Sequence, residues 1–200
     1  MIVIVDYGMG NLLSIKKAFA RAGFKTMISS NLQEISSASK IVLPGVGHFK
    51  QGMENLSKIG ALDTLNNAVI NRKVPILGIC LGMQIMTKSS AEGGIDGLGW
   101  VDLKVTRVKE KNLKTPHMGW NSVCDFDSLL MKNIDKESLF YFVHSYQVLD
   151  VNNHSLNTGL TFYGSDFISC FSSGNIHGVQ FHPEKSHKQG IEMLKNFANL

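Results

Sequence analysis

Cys80, His182 and Glu184 are the residues of this chain whose types and surroundings fit one reaction. Cys80 stands in Gly78-Ile79-Cys80-Leu81-Gly82, after an apolar run from Val74 to Ile79 and before a helical pattern from Met83 to Lys88. A side chain on a sharp strand-to-helix turn is pushed out of the sheet, and such a turn needs small neighbours at i−2 and i+2. The helix N-terminus favours thiolate over thiol, and its free N–H groups can hold an oxyanion. Taken alone, the pattern also suits a buried core cysteine, because free cysteine is among the most buried residue types. The stretch Gly178-Val179-Gln180-Phe181-His182-Pro183-Glu184 favours chemistry. A strand ends at Phe181, and in extended chain His182 and Glu184 share one side. Glu184 can then accept from one imidazole nitrogen and aim the other at a thiol. A cysteine nucleophile needs such a base, and the base needs such an orienter.

The elements that must position these groups follow from periodicity. Ile2 to Val5, Lys25 to Ser29, Lys40 to Leu43 and Val74 to Ile79 read as strands. Helical patterns over 12–22, 51–58 and 61–71 lie between them. This alternation predicts an α/β fold, a parallel sheet with helices on both faces. Sites in such sheets lie beyond the carboxyl ends of the strands. Three loops gather there: Asp6 to Asn11, Pro44 to Phe49, and the turn at Cys80. Gly8-Met9-Gly10 lacks the third glycine of a dinucleotide-binding turn. After Gly93 come short strand-like runs at 103–109, 121–124, 139–143, 146–149, 160–163, 167–172 and 176–180. They predict an antiparallel region added to the sheet, closed by an amphipathic helix over 190–200. No linker or repeat interrupts the chain, so residues 1–200 are expected to form one domain.

Composition excludes several function classes. The 200 residues carry a net charge of +4 with no basic run, and hydrophobic content is 44%. The densest cluster, Lys104 to Lys114, is interrupted by Glu110 and reads as a solvated strand edge and loop, so no nucleic-acid partner is expected. Cys80, Cys124 and Cys170 are odd in number and widely spaced. That argues against a disulfide framework or zinc site and for a reducing compartment. The apolar start stops at Asp6, too short for a signal segment, and no run reaches membrane length. A cytoplasmic protein without metal or cofactor is expected. His187 reads as a solvated histidine at a helix start.

Gly78-Ile79-Cys80-Leu81-Gly82-Met83-Gln84 with Gln180-Phe181-His182-Pro183-Glu184 resembles the class I glutamine amidotransferases. Pro44-Gly45-Val46-Gly47, Pro116-His117-Met118-Gly119-Trp120-Asn121 and Tyr141-Phe142-Val143-His144-Ser145-Tyr146 extend the resemblance to the glutaminase subunits of imidazole glycerol phosphate synthases. The resemblance implies a flavodoxin-like amidotransferase fold and hydrolysis of L-glutamine through a thioester on Cys80. It implies His182 as base and acid, Glu184 as orienter, and oxyanion donors at Leu81 and Val46. It places Gly47, Gly82, Gln84, His144, Ser145 and Tyr146 in the glutamine pocket. It further implies a (β/α)8-barrel synthase partner in histidine biosynthesis. Because interfaces favour aromatic residues, the loop 116–121 with Trp120 and His117 is expected to face that partner, the alternative being that Trp120 packs in the core. Two alternatives share much of the pattern: a paralogous subunit feeding ammonia to surface-polysaccharide sugar synthesis, and a PfpI-type cysteine hydrolase.

Overall fold

The computed structural model describes residues 1–108, 113–124, 126–149 and 156–200. Lys109, Glu110 and Lys111 of the basic cluster lie outside the described residues, and so does the last position of the run read as a strand over 103–109. The chain opens β1 (Ile2–Val5), α1 (Leu12–Arg21), β2 (Thr26–Ser29), α2 (Leu32–Ser36), β3 (Lys40–Leu43), α3 (Phe49–Lys58), α4 (Ala61–Asn66) and β4 (Ile76–Ile79). There follow α5 (Leu81–Ile85), β5 (Thr87–Ser90), β6 (Ile95–Asp96), β7 (Val101–Arg107), β8 (His117–Ser122) and β9 (Leu139–His144). The rest is β10 (Tyr146–Leu149), β11 (Asn157–Tyr163), β12 (Ser165–Ser173), β13 (Ile176–Val179) and α6 (His187–Ala198).

The main sheet runs β2-β1-β3-β4-β13-β12-β10-β7-β5-β6, with β11 also paired to β12. The pairs β1–β2, β1–β3, β3–β4 and β4–β13 are parallel. β13–β12, β12–β10 and β10–β7 are antiparallel. Alternation splits β1 between two cores. Val3 and Val5 pack with Ile35, Leu56 and Leu65 on one face, while Ile2 and Ile4 pack with Ile15, Phe19 and Phe197 on the other. Helices therefore cover both faces, as the alternating pattern requires. Each fully buried aliphatic or aromatic side chain contributes roughly 1.5–3 kcal/mol, so the two apolar cores fix β1 and β4 firmly.

The structure corrects the sequence reading at several points. The helix after Cys80 begins at Leu81 and ends at Ile85, and Thr87 already starts a strand. Hydrogen bonding explains the early stop. The carbonyls of Ile85 and Met86 accept from Leu98 and Trp100 N–H at 2.8 and 3.0 Å, so they are not available to a further helical turn. The added region is not a simple antiparallel extension: β7 runs parallel to β5, and among the described residues β8 pairs only with β9, in a separate two-stranded ribbon. Residues 117–121 are thus strand, not loop. Short α2 escaped the periodicity, although Asn31 caps it by accepting from Gln33 and Glu34 N–H. Among the described residues, no helix is long and apolar enough to cross a membrane.

Of the described glycines, the one with least room for a side chain joins β3 to α5. A Cβ on Gly82 would lie 1.8 Å from the Leu43 carbonyl oxygen. Gly82→Ala is therefore expected to cost about 3 kcal/mol or more, by forcing β3 and α5 apart. Urea denaturation of the variant against the parent chain measures it.

Candidate active site

Cys80 links β4 to α5 with φ 53° and ψ −108°, a conformation that L residues rarely adopt. Such a backbone costs of order 1–3 kcal/mol and persists only where its surroundings over-determine it. Here the parallel ladder holds one side, with Cys80 N–H donating to Val179 O at 2.8 Å. The helix holds the other, with Gln84 N–H donating to Cys80 O at 3.2 Å. Small neighbours are mandatory, since a Cβ on Gly78 would lie 2.7 Å from Met83 N.

His182 and Glu184 come from the turn after β13. Pro183–Lys185 form a single 3-10 turn, not the extended chain the sequence reading assumed. The expected contact forms all the same: His182 Nδ1 lies 2.8 Å from Glu184 Oε1, with both side chains buried. A carboxylate only accepts, so His182 carries its Nδ1 proton there and Nε2 is left for other work. Nε2 has no hydrogen-bond partner among the described residues. Burial disfavours a charged His182, but the charge of Cys80, and after it Glu184, outweighs burial and raises it to about 10. Ser186 braces the turn, donating to His182 O at 2.7 Å and accepting from Tyr141 N–H at 3.0 Å.

A cavity of about 260 Å³ opens beside Cys80. Val46 and Leu81, the expected oxyanion donors, line it, with Gly47, Gln84, His144, Ser145 and Tyr146 from the expected glutamine pocket. Gly82 does not; it is packed against the Leu43 carbonyl and acts by allowing the turn. Glu92, Pro116 and Val143 also line the cavity and were missed. No local signal marks Glu92, which lies just after β5 and is held at the site by its carboxylate accepting from Phe49 N–H, at the start of α3, at 2.7 Å. Gln180, fully buried with Nε2 3.5 Å from Cys80 Sγ, was also missed. Its i, i+2 relation to His182 in an extended segment could have pointed to it. A larger cavity of about 1030 Å³ lies elsewhere, around Val123, Leu129 and Phe140, and among the described residues no histidine lines it.

The expected oxyanion donors are not both free. Leu81 N–H donates to Gly45 O at 3.3 Å. Below this loop, the Tyr7 hydroxyl donates to Pro44 O at 2.5 Å. Burial, then the charge of Cys80, pushes the Tyr7 phenol far above its usual range, so it remains a donor. Val46 is 43% exposed at the cavity rim. His117 is not the exposed residue the sequence reading expected: it is 3% exposed and stacks on Tyr163 at 3.9 Å. Alternation along β8 turns Met118 and Trp120 outward instead, and Trp120 stacks on the exposed His187 at 4.8 Å.

A family profile described as "Glutamine amidotransferase class-I" matches residues 3–200. A relative from Methanococcus maripaludis, described as imidazole glycerol phosphate synthase subunit HisH 2, is 48% identical over 201 residues, covering 98% of each chain. One from Sulfurimonas denitrificans, described as subunit HisH of the same synthase, is 44% identical and covers 99% of this chain and 97% of its own. Among solved structures, a glutamine amidotransferase superposes with a TM-score of 0.75 at 16% identity, covering 99% of this chain and 100% of its own. The CTPS glutaminase domain of Trypanosoma brucei gives a TM-score of 0.67 at 16% identity, covering 99% and 93%. At such identities the two structures speak to fold alone.

Histidine burial sets a pH dependence with a definite sign. Burial lowers His117 and His177 to about 4 and His144 to about 3, His117 adding to the effect on His144. An unfolded histidine titrates near 6.5, so between pH 6.5 and 4 the unfolded chain binds more protons and stability rises with pH. His182 acts in the opposite sense: its contribution is full below about 6.5 and is lost as pH rises toward about 10. Urea midpoints are expected to fall steadily from pH 6.5 to 4. His177→Gln, away from the cavity, should flatten that slope.

Proposed function

The chain belongs to the class I glutamine amidotransferases, and from that premise we propose that it is the glutaminase subunit of an imidazole glycerol phosphate synthase. It hydrolyses L-glutamine to glutamate and ammonia, and a (β/α)8-barrel synthase subunit of histidine biosynthesis takes up the ammonia. The observation that carries this reading is the convergence of Cys80 on its strained turn, the His182–Glu184 pair and the cavity beside them. No metal or cofactor enters the reaction. The three cysteines are free, which suits a cytoplasmic setting.

The geometry supports the following sequence of steps. The Cys80 thiolate attacks the side-chain amide carbon of L-glutamine, and the carbonyl oxygen gains the charge. His182 gives its Nε2 proton to the departing nitrogen, which leaves as ammonia and a thioester remains. His182 then takes a proton from water, the hydroxide attacks the thioester, and glutamate leaves as the thiolate re-forms. Glu184 keeps the imidazole in one tautomer and favours its charged form throughout. Leu81 N–H can serve the oxyanion only after the Gly45 carbonyl turns away from it, and the same rotation would present Val46 N–H. Glu92 offers the cavity's carboxylate to the substrate ammonium. Gln84, His144, Ser145 and Tyr146 supply polar groups to the rest of the amino acid. Met118 and Trp120, exposed on β8, are the surface offered to the synthase.

Glutamate release by the chain alone, then with the barrel synthase and its ribonucleotide substrate, tests the reading. Stimulation by the pair, cut about 1000-fold or more by Cys80→Ala, is the expected result. Cysteine-dependent hydrolysis that ignores this synthase would move the assignment to a sugar-pathway partner. Absence of any glutamine hydrolysis would overturn it. Glu92→Gln keeps the acceptor for Phe49 N–H but removes the charge. It should raise KM for glutamine about tenfold with little change in kcat, read from steady-state kinetics.

A further inference from the structure

One backbone carbonyl fixes the direction of the hydrogen bonds that end on the nucleophile. The Tyr146 oxygen can only accept. Gln84 Nε2 lies 3.0 Å from it and His144 Nδ1 lies 2.8 Å from it. Gln84 must therefore turn its amide nitrogen toward Tyr146. That nitrogen is also 2.9 Å from Gln180 Oε1. Because it donates there, Gln180 must offer oxygen to Gln84 and its own N–H groups to the other side. On that side is Cys80 Sγ, 3.5 Å from Gln180 Nε2. Flipping Gln180 would set two amide nitrogens face to face and turn an oxygen onto the sulfur. Neither amide is open to water to relieve this: Gln180 is 0% exposed and Gln84 4%.

We propose that Gln180 is a positioning residue for the nucleophile, its carboxamide N–H, aimed by Gln84, holding Cys80 Sγ and stabilising it as the thiolate. The thiol proton has its own partner, the Val143 carbonyl 3.9 Å from the sulfur. Once that proton is gone, the carbonyl no longer helps, and a buried anion without a donor is costly. His182 supplies a countercharge, but it gives up its proton when ammonia leaves. The Gln180 N–H gives up nothing, so it is in place both when the thiolate attacks and when the thioester expels it. The catalytic consequence rests on the glutaminase reading; the hydrogen bond to the sulfur does not.

The titratable groups coupled by charge to Cys80 are His182, from the turn after β13, and Tyr7, from the loop after β1. Both stay unchanged in Gln180→Leu and Gln180→Glu, the two test variants. Alkylation of Cys80 by iodoacetamide, followed between pH 5 and 10 on the Cys80 peptide by mass spectrometry, reads thiolate formation without any substrate. Exposed Cys124 is separated by its own peptide. Gln180→Leu should alkylate about tenfold more slowly at pH 7, with its midpoint displaced upward by about one pH unit. Gln180→Glu keeps an acceptor for Gln84 but faces the sulfur with a carboxylate, and should move the midpoint further. It is nearly isosteric, and it carries the test if the Leu variant melts below assay temperature. In glutamine turnover, kcat should fall while KM changes little. Variants that alkylate with the parent midpoint would overturn the proposal. A parent chain that alkylates as expected but hydrolyses no glutamine would overturn the glutaminase reading and leave this assignment standing.

Discussion

The contact of Gly82 with the Leu43 carbonyl is the constraint on which the site depends. It lets α5 start directly against the end of β3, with no side chain between them. That approach leaves Cys80 no room for an ordinary backbone, so it takes φ 53° and its sulfur is lifted off the sheet. The same geometry brings Leu81 N–H beneath the loop that follows β3, where it meets Gly45 O. One close approach thus sets the nucleophile, an oxyanion donor and the loop that covers it. The ladder to β13 then carries the base to the same edge, since Val179 pairs with Ile79 and His182 follows three residues on.

The polar groups around the cysteine are buried, and their arrangement follows from satisfaction of hydrogen bonds. His117 Nδ1 and His144 Nε2 lie 3.0 Å apart, and His144 gives its Nδ1 proton to Tyr146. Burial keeps both rings neutral at neutral pH, so with that donor fixed His144 Nε2 accepts and His117 Nδ1 donates. Their low affinity for protons has the same main cause, burial, to which His117 adds at His144. His182 differs because Glu184 and Cys80 stand on either side of it. Buried histidines of two kinds therefore hold different charge states at neutral pH, His117 and His144 neutral and His182 charged.

The loop over the cysteine is held on both sides by groups distant from it in the chain. Tyr7, five residues past the start of β1, donates to Pro44 O, and Leu81 donates to the next carbonyl, Gly45 O. A Cβ on Gly45 would lie 2.7 Å from the Tyr7 oxygen and 2.8 Å from Leu81 Cβ, so only glycine fits between them. The loop is consequently confined in space while its peptide retains glycine's backbone freedom, which suits a segment that must change its hydrogen bonds during turnover.

Local pattern alone determined the parallel core, the turn at Cys80 and the pairing of His182 with Glu184. The first two follow from alternation and from small residues flanking a sharp turn; the pairing follows from their nearness in the chain, joined by a 3-10 turn instead of the extended chain expected. Most of the cavity wall was legible too, because its residues stand in strings that resemble one family. Tertiary structure alone decided the rest. Glu92 joins the site because folding brings together segments 43 residues apart, and the contact of Gln180 with Cys80 spans 100, although its place two residues before His182 is a local pointer. His117 is buried and Trp120 exposed because β8 pairs with β9 in a separate ribbon, a register that no single stretch encodes. The end of α5 was set by Leu98 and Trp100 N–H taking carbonyls the helix needed. Chemistry carried by neighbours in the chain can be read from the chain. Chemistry carried by hydrogen bonds between distant segments exists only once the sheet has closed around them.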